Sequence, residues 1–190
     1  MSAAVLGDDG LRRCPWGDAP AIYRAYHDSE WGREVRGTQA LFERISLEAF
    51  QSGLSWITIL RKRSAFRQAF AGFDVDEVAA FDDDDVVRLL GDEAIVRNRA
   101  KIEATINNAH AVQALDVDLS DWLWSLAPAG HRPAPTALSE VGTLSAESTA
   151  MARELKRQGF RFVGPTTAYA LMQATGMVDD HLADCHARQG

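Results

Sequence analysis

Apolar residues along this chain recur mostly at every third or fourth position, the spacing of a helix with one buried face. Leu41, Phe42, Ile45 and Ala49 follow it, and Thr38 stands where a cap belongs, so a helix is predicted over 39–52. The same period predicts helices over 76–90 and 95–114. Strand signals are almost absent, because runs such as 160–163 are short and lack partners of alternating polarity. Proline and glycine mark 127–135 as a loop, too brief for a domain boundary. With no internal repeat and no low-complexity linker, the expectation is one all-α domain over 1–190 with an ordered core at about 11–186.

The most organised local pattern lies between Ser145 and Gly176. Ser145 or Ser148 starts a helix that runs through Met151 and Leu155 and stops at Gly159, a left-handed C-terminal position. After a short hairpin, Gly164 is placed to cap a second helix, with Pro165 in its first turn, and that helix continues through Tyr169, Leu171 and Met172. Such a start leaves backbone N–H groups of Gly164, Thr166 and Thr167 free to hold an anion such as a DNA phosphate. An ordinary pair of antiparallel helices reads equally well from this motif alone. The order Gly159-Phe160-x-Phe162-Val163-Gly164-Pro165-Thr166 resembles the helix-hairpin-helix of DNA repair glycosylases.

Composition narrows the class without naming a function. With 46% hydrophobic and 25% charged residues the chain is ordinary for a globular protein. It has no run of about 18–20 apolar residues and no signal-like N-terminus, so a cytoplasmic location is expected. The net charge of −7 argues against nucleic acid, but its distribution weakens that argument. Nine acids against one arginine lie between Asp74 and Glu93, whereas Arg61, Lys62, Arg63 and Arg67 form a cluster without an acid. Four basic residues against one glutamate follow between Arg153 and Arg161. These clusters permit DNA binding; solvated faces would look the same.

Two cysteines stand near opposite ends, each with a histidine at short range: Cys14-x12-His27 and His181-x3-Cys185. The second pair is spaced for one face of a helical turn. Two thiolates and two imidazoles make a filled tetrahedral zinc shell, which reads as structural, and Asp28, Asp180 or Asp184 could orient the histidines. Two buried free thiols, or a Cys14–Cys185 disulfide, remain the alternatives. Glu48 falls on the stripe Leu41–Ile45–Glu48–Ser52 of an otherwise apolar helix, where a carboxylate is either paired, for instance with an arginine, or kept for a ligand.

Successive motifs then agree in order: Arg13-Cys14-Pro15-Trp16, Ala25-Tyr26-His27-Asp28-Ser29-Glu30-Trp31-Gly32, Leu47-Glu48, Gly53-Leu54-Ser55-Trp56-Ile57-Thr58, the hairpin, and Asp180-His181-x3-Cys185. From about Arg13 to Cys185 the chain resembles the 3-methyladenine DNA glycosylase I family. That resemblance implies an all-helical fold of the helix-hairpin-helix glycosylase type, with one structural zinc ion on Cys14, His27, His181 and Cys185 joining the two ends. It also implies that Glu48 reads a flipped 3-methylated adenine, a cationic base with an exocyclic amine. Trp16, Tyr26 and Trp56 would stack on that base, with a cation–π contribution of about 2 kcal/mol if desolvated. Trp31, Trp122 and Trp124 are assigned to the core. Leu54 is a candidate wedge for the space that the extruded nucleotide leaves, and Gly159, Val163, Gly164, Thr166 and Thr167 would hold the backbone of double-stranded DNA.

No lysine stands out as a Schiff-base nucleophile, so a monofunctional glycosylase is expected, acting as a monomer and leaving an abasic strand uncut. Related helix-hairpin-helix glycosylases place a catalytic aspartate in a Val-Asp-x-His setting. This chain reads Val178-Asp179-Asp180-His181, where the family it resembles often has asparagine first. Asp179 is therefore a candidate for stabilising the oxocarbenium-like sugar, with a helix cap or turn residue as the plainer reading. Two rival functions remain at this point: a DNA-binding module without a pocket, and a zinc hydrolase with an open metal position.

Overall fold

The computed structural model describes residues 3–130 and 132–189. His131, inside the expected 127–135 loop, and residues 1, 2 and 190 lie outside them. Helices dominate: α1 (Ala21–Ser29), α2 (Thr38–Gln51), α3 (Trp56–Ala69), α4 (Val75–Ala79), α5 (Asp83–Gly91), α6 (Arg99–Gln113), α7 (Leu119–Ser125), α8 (Ala146–Arg157) and α9 (Pro165–Ala174). The sequence pattern missed α1, α3 and α7. It also missed one small sheet, in which β1 (Val5–Leu6) pairs antiparallel with β2 (Arg12–Arg13), with Val5 opposite Arg13. Packed structure thus extends before residue 11, since Ala4 is buried.

Helix α2 is the hub, packing on α3, α6, α7 and α9. Residues 44–50 are buried without interruption, so it has no solvent face to speak of. Thr38 does not cap it; Gly37 holds that place and the Thr38 hydroxyl donates to the Asp118 carboxylate. The helix expected over 76–90 is two. Asp74 accepts from the amides of Asp76 and Glu77 to cap α4, and Asp82 forms a reciprocal box with Asp85 to start α5. Carboxylates at a helix start satisfy free N–H groups and the positive end of the helix dipole, so the acidic run favours two starts over one long helix. Helix α6 begins at Arg99, later than residue 95, because the Asn98 side chain caps it by accepting from the Lys101 amide.

The hairpin agrees with the expectation in detail. Ser145 caps α8 in a box with Ser148, Gly159 has φ +87°, and Gly164 precedes Pro165 at the start of α9. Helices α8 and α9 pack on each other, and α9 lies on α2, which sets the hairpin beside the α2–α3 turn. The two ends of the chain meet: Ala4, Cys14, Leu182, Cys185 and Ala187 share one small core, and the His186 amide donates to the Arg12 carbonyl.

Candidate active site and metal centre

Helix α1, the start of α3 and one face of α2 converge on a cavity of about 370 Å³. Its walls include Trp16, Tyr23, Tyr26, Trp31, Glu48, Gln51, Trp56, Leu138, Val141, Gln173 and Asp180. Of the expected base-binding residues, all four line it. Tyr26 and Trp56 face each other with ring centres 5.3 Å apart and tilted by 49°, while Trp16 stands edge-on to Trp31 at 4.9 Å. Trp31, assigned to the core from sequence, is thus a wall, as are Tyr23 and Gln51. Spacing could have found two of these, since Tyr23 and Tyr26 on α1, and Glu48 and Gln51 on α2, are i,i+3 neighbours. The indole N–H of Trp56 is buried with no acceptor among the described residues.

Glu48 is 5% exposed, and no other described residue hydrogen-bonds its carboxyl. The arginine that could have paired with it, Arg44 one helical turn earlier, donates instead to Glu30 at 2.8 Å. Arg63 closes the same carboxylate from the other side at 2.6 and 2.8 Å. Burial pushes the Glu48 carboxyl up to about 8, and the charge of Arg44 only partly opposes it. Burial acts on Glu30 too, but the two guanidiniums outweigh it and hold that carboxyl at about 2. Burial and the neighbouring Glu48 raise the Tyr26 phenol well above its ordinary value.

The thiols of Cys14 and Cys185 and a ring nitrogen of His27 all lie within 4.8 Å of one another, a possible metal site. His181 sits against it, its ring centre 4.8 Å from that of His27, and its Nε2 is buried with no partner among the described residues. Each histidine has Nδ1 fixed by a carboxylate at 2.8 Å, His27 by Asp28 and His181 by Asp179, which leaves both Nε2 atoms available for a metal. A thiol pair with two oriented imidazoles suits zinc chemistry. Residues 181–185 form a turn, so the pair is not on one face of a helix. Of the expected orienting acids, Asp28 serves. Asp180 instead accepts from Tyr169 and Gln173, and Asp184 from Arg12 and the Ala4 amide. His186, which sequence left without a role, also contacts Asp28, at 3.0 Å.

Asp179 does not line the aromatic cavity. Its carboxyl accepts from the ring and amide of His181 and from the Gln189 amide, and it lines a different cavity, with Gly32, Arg132 and Arg188. Asp180, next in sequence, is the aspartate that borders the aromatic cavity.

Leu54 protrudes from the α2–α3 turn, 41% exposed, next to Gly53 with φ +79°. The hairpin lies beside it, and Ser52, Lys156, Phe162, Val163, Gly164 and Thr167 line an open depression between them. Val163 is buried, so it can offer only backbone there, whereas Thr166 is exposed. The expected basic cluster on α3 is largely spent within the protein: Arg63 binds Glu30, Arg67 binds Glu43, and Lys62 donates to the carbonyls of Glu93 and Ala94.

Residues 16–189 match the model of a family described as methyladenine glycosylase. The DNA-3-methyladenine glycosylase 1 of Escherichia coli is 43% identical over 181 residues, which span 92% of this chain and 96% of that protein. A crystal structure of a 3-methyladenine DNA glycosylase I superposes with a TM-score of 0.89 at 41% identity, covering 93% of this chain and 100% of that one. A 3-methyladenine DNA glycosylase I from Staphylococcus aureus, whose structure addresses 3-methyladenine recognition, gives 0.87 at 34% identity, covering 94% and 97%. The resemblance read from the ordered motifs is borne out: this chain belongs to the methyladenine glycosylase family.

Proposed function

We propose that this protein is a DNA repair glycosylase that extrudes 3-methyladenine from alkylated duplex DNA and hydrolyses its N-glycosidic bond. The observation that carries the reading is Glu48, a buried carboxyl without a partner among the described residues, in a cavity walled by tryptophan and tyrosine. A buried carboxyl in an apolar setting is costly unless a ligand supplies the missing donor or charge. A 3-methylated adenine supplies both, through its exocyclic amine and positive charge. Neutral adenine offers only the amine, so Glu48, ionised beside the bound cation, discriminates between them. Tyr26, Trp16 and Trp56 provide aromatic faces for the cation, and the unpaired Trp56 N–H offers a donor.

The methylated purine is already a good leaving group, so the protein need not protonate it. Its own contribution is extrusion, desolvation and charge complementarity around an oxocarbenium-like sugar. Leu54 fills the vacated space in the duplex. The amides at the start of α9, with Thr166 and Thr167, hold a phosphate, and Lys156 adds a charge at the same depression. The buried lysine nearest this region, Lys101, has its ammonium on two carbonyls, which favours a monofunctional enzyme that leaves the abasic strand uncut. In this reading Asp179 orients His181 and stays out of the chemistry at the sugar.

Cys14, His27, His181 and Cys185 would hold one zinc ion. With four protein donors, that ion serves as a structural clip between the ends of the chain. A zinc hydrolase needs an open position that this set does not leave, and a DNA-binding module without a pocket does not account for the cavity around Glu48. The protein is proposed to act as a monomer in the cytoplasm; no helix of the described residues is long and apolar enough to cross a membrane.

Titration with free 3-methyladenine tests the base site, since Trp16, Trp31 and Trp56 border it and report occupancy by fluorescence. The wild type is expected to bind and Glu48→Gln to bind at least about ten-fold more weakly, the loss of one charge-assisted contact. Equal binding by the two would remove Glu48 from base recognition.

A further inference from the structure

Helix α6 sends polar side chains to two separate loops. In its first turn, Lys101 is buried, and its ammonium donates to the carbonyls of Phe50 at 2.8 Å and Ser52 at 2.6 Å. Two turns later, the fully buried Asn108 holds the backbone of Arg161 from both sides. Its amide donates to the Arg161 carbonyl at 3.1 Å and its oxygen accepts from the Arg161 N–H at 2.7 Å. Beside it, Asn107 donates to the Gly159 carbonyl at 2.8 Å.

Lys101 has no acidic partner among the described residues, and burial lowers its affinity for the proton. Burying an unpaired ammonium is expensive, and an apolar side chain would fill the same space at less cost, so packing alone gives no reason for a lysine. The destinations of these bonds give one. Phe50 and Ser52 close the C-terminal end of α2 and open the turn that carries Leu54; Gly159 and Arg161 form the hairpin. Leu54 and Phe162, 41% and 40% exposed, are the large apolar residues that these two loops present to solvent. Phe162 has φ +55°, a conformation unusual for an aromatic residue, and it directly follows the Arg161 backbone that Asn108 grips.

We infer that α6 is a spacer that fixes the distance between the wedge turn and the phosphate-holding hairpin, with Lys101 and Asn108 as its two positioning residues. The inference rests on the DNA glycosylase reading above. The two residues are seven positions apart on one face, about 10.5 Å along the axis. A wedge must enter the duplex at a set distance from the phosphate being held, and a misplacement of about 1 Å can cost about a hundred-fold in rate.

Lys101→Met keeps the volume and removes the grip. Single-turnover excision from methylated duplex is expected to slow by about ten- to a hundred-fold, while binding of free 3-methyladenine stays within about two-fold of wild type. In a Leu54→Ala background the same substitution is expected to add little, because the wedge it positions is already gone. Undiminished excision by Lys101→Met, or equal losses of excision and free-base binding, would overturn the inference. Should Lys101→Met fail to fold, Asn107→Ala at the partly exposed end carries the test. Weaker duplex binding with intact free-base binding supports the spacer, and unchanged duplex binding overturns it. A wild-type protein that releases no base sinks the glycosylase reading and this inference with it, whereas an active wild type matched by Lys101→Met sinks the spacer alone.

Discussion

Glu48 has almost no access to water and no donor among the described residues to hold its charge, so burial pushes its carboxyl up to about 8 from an ordinary 4.5. Between those values the folded protein keeps a proton that the unfolded chain has lost, and stability therefore falls as pH rises through that window. Glu48→Gln removes the titration while keeping the shape. Its melting temperature is expected to match wild type near about pH 5 and to exceed it near about pH 9. Melts at the two values check this, and a difference that does not grow with pH would contradict the assignment. The oddity of this residue was legible in the sequence because a carboxyl interrupts an apolar stripe, but pairing with an arginine read as readily there, and base recognition was implied only by the resemblance. Tyr23 and Trp31 were not legible, because an aromatic residue reads the same in a core and in a cavity wall. A Val-Asp-x-His run likewise does not say which of two adjacent aspartates borders the aromatic cavity, and here it is Asp180.

Among the elements, the α8–α9 hairpin was read almost residue by residue, because Ser145, Gly159, Gly164 and Pro165 each enforce one backbone event. Ser145 accepts from the Ser148 amide and Ser148 returns the bond. Ser145→Ala is accordingly expected to cost about 1 kcal/mol of stability, measured by urea unfolding, with the slope unchanged. A neutral effect would mean that packing of α8 on α9 alone sets this helix start. The pattern failed where caps overrode periodicity, as at Asp82, which breaks one apolar stripe into α4 and α5. It failed also on α3, where Arg61, Lys62 and Arg63 occupy the middle of a helix whose buried residues are Ile59, Leu60, Phe66 and Ala69. Lys62 and Arg63 spend their charges on neighbouring elements, a tertiary fact that no local window contains.

Across the whole molecule, the two ends are tied together beside the cavity. The Arg12–Asp184 ion pair, the bond from His186 to Arg12, and the Cys14, His27 and Cys185 group all join them. Trp16 links this junction to the aromatic cavity, since its ring lies 5.1 Å from His27 and it also lines that cavity. Metal bound there contributes its binding energy to folding. Chelation of the proposed zinc is therefore expected to lower the melting temperature and weaken 3-methyladenine binding together, and added zinc to restore both. A protein that melts unchanged after metal removal would contradict the clip. Four candidate ligands of two types, two cysteines and two histidines, were visible at the two ends of the sequence; that they meet was implied only by the resemblance, because local spacing cannot bring residues 14 and 185 together. The net charge of −7 was a poor guide, since nine of the 27 acids are concentrated in the run 74–93 around α4 and α5.

Incubation of the purified protein with methylated duplex DNA, followed by identification of any base set free, tests the central claim most directly. The account predicts release of 3-methyladenine and an abasic strand that stays intact until treated with alkali. A folded, zinc-loaded protein that binds this DNA and releases no base would contradict it, and Glu48 would then be a buried carboxyl without a catalytic purpose.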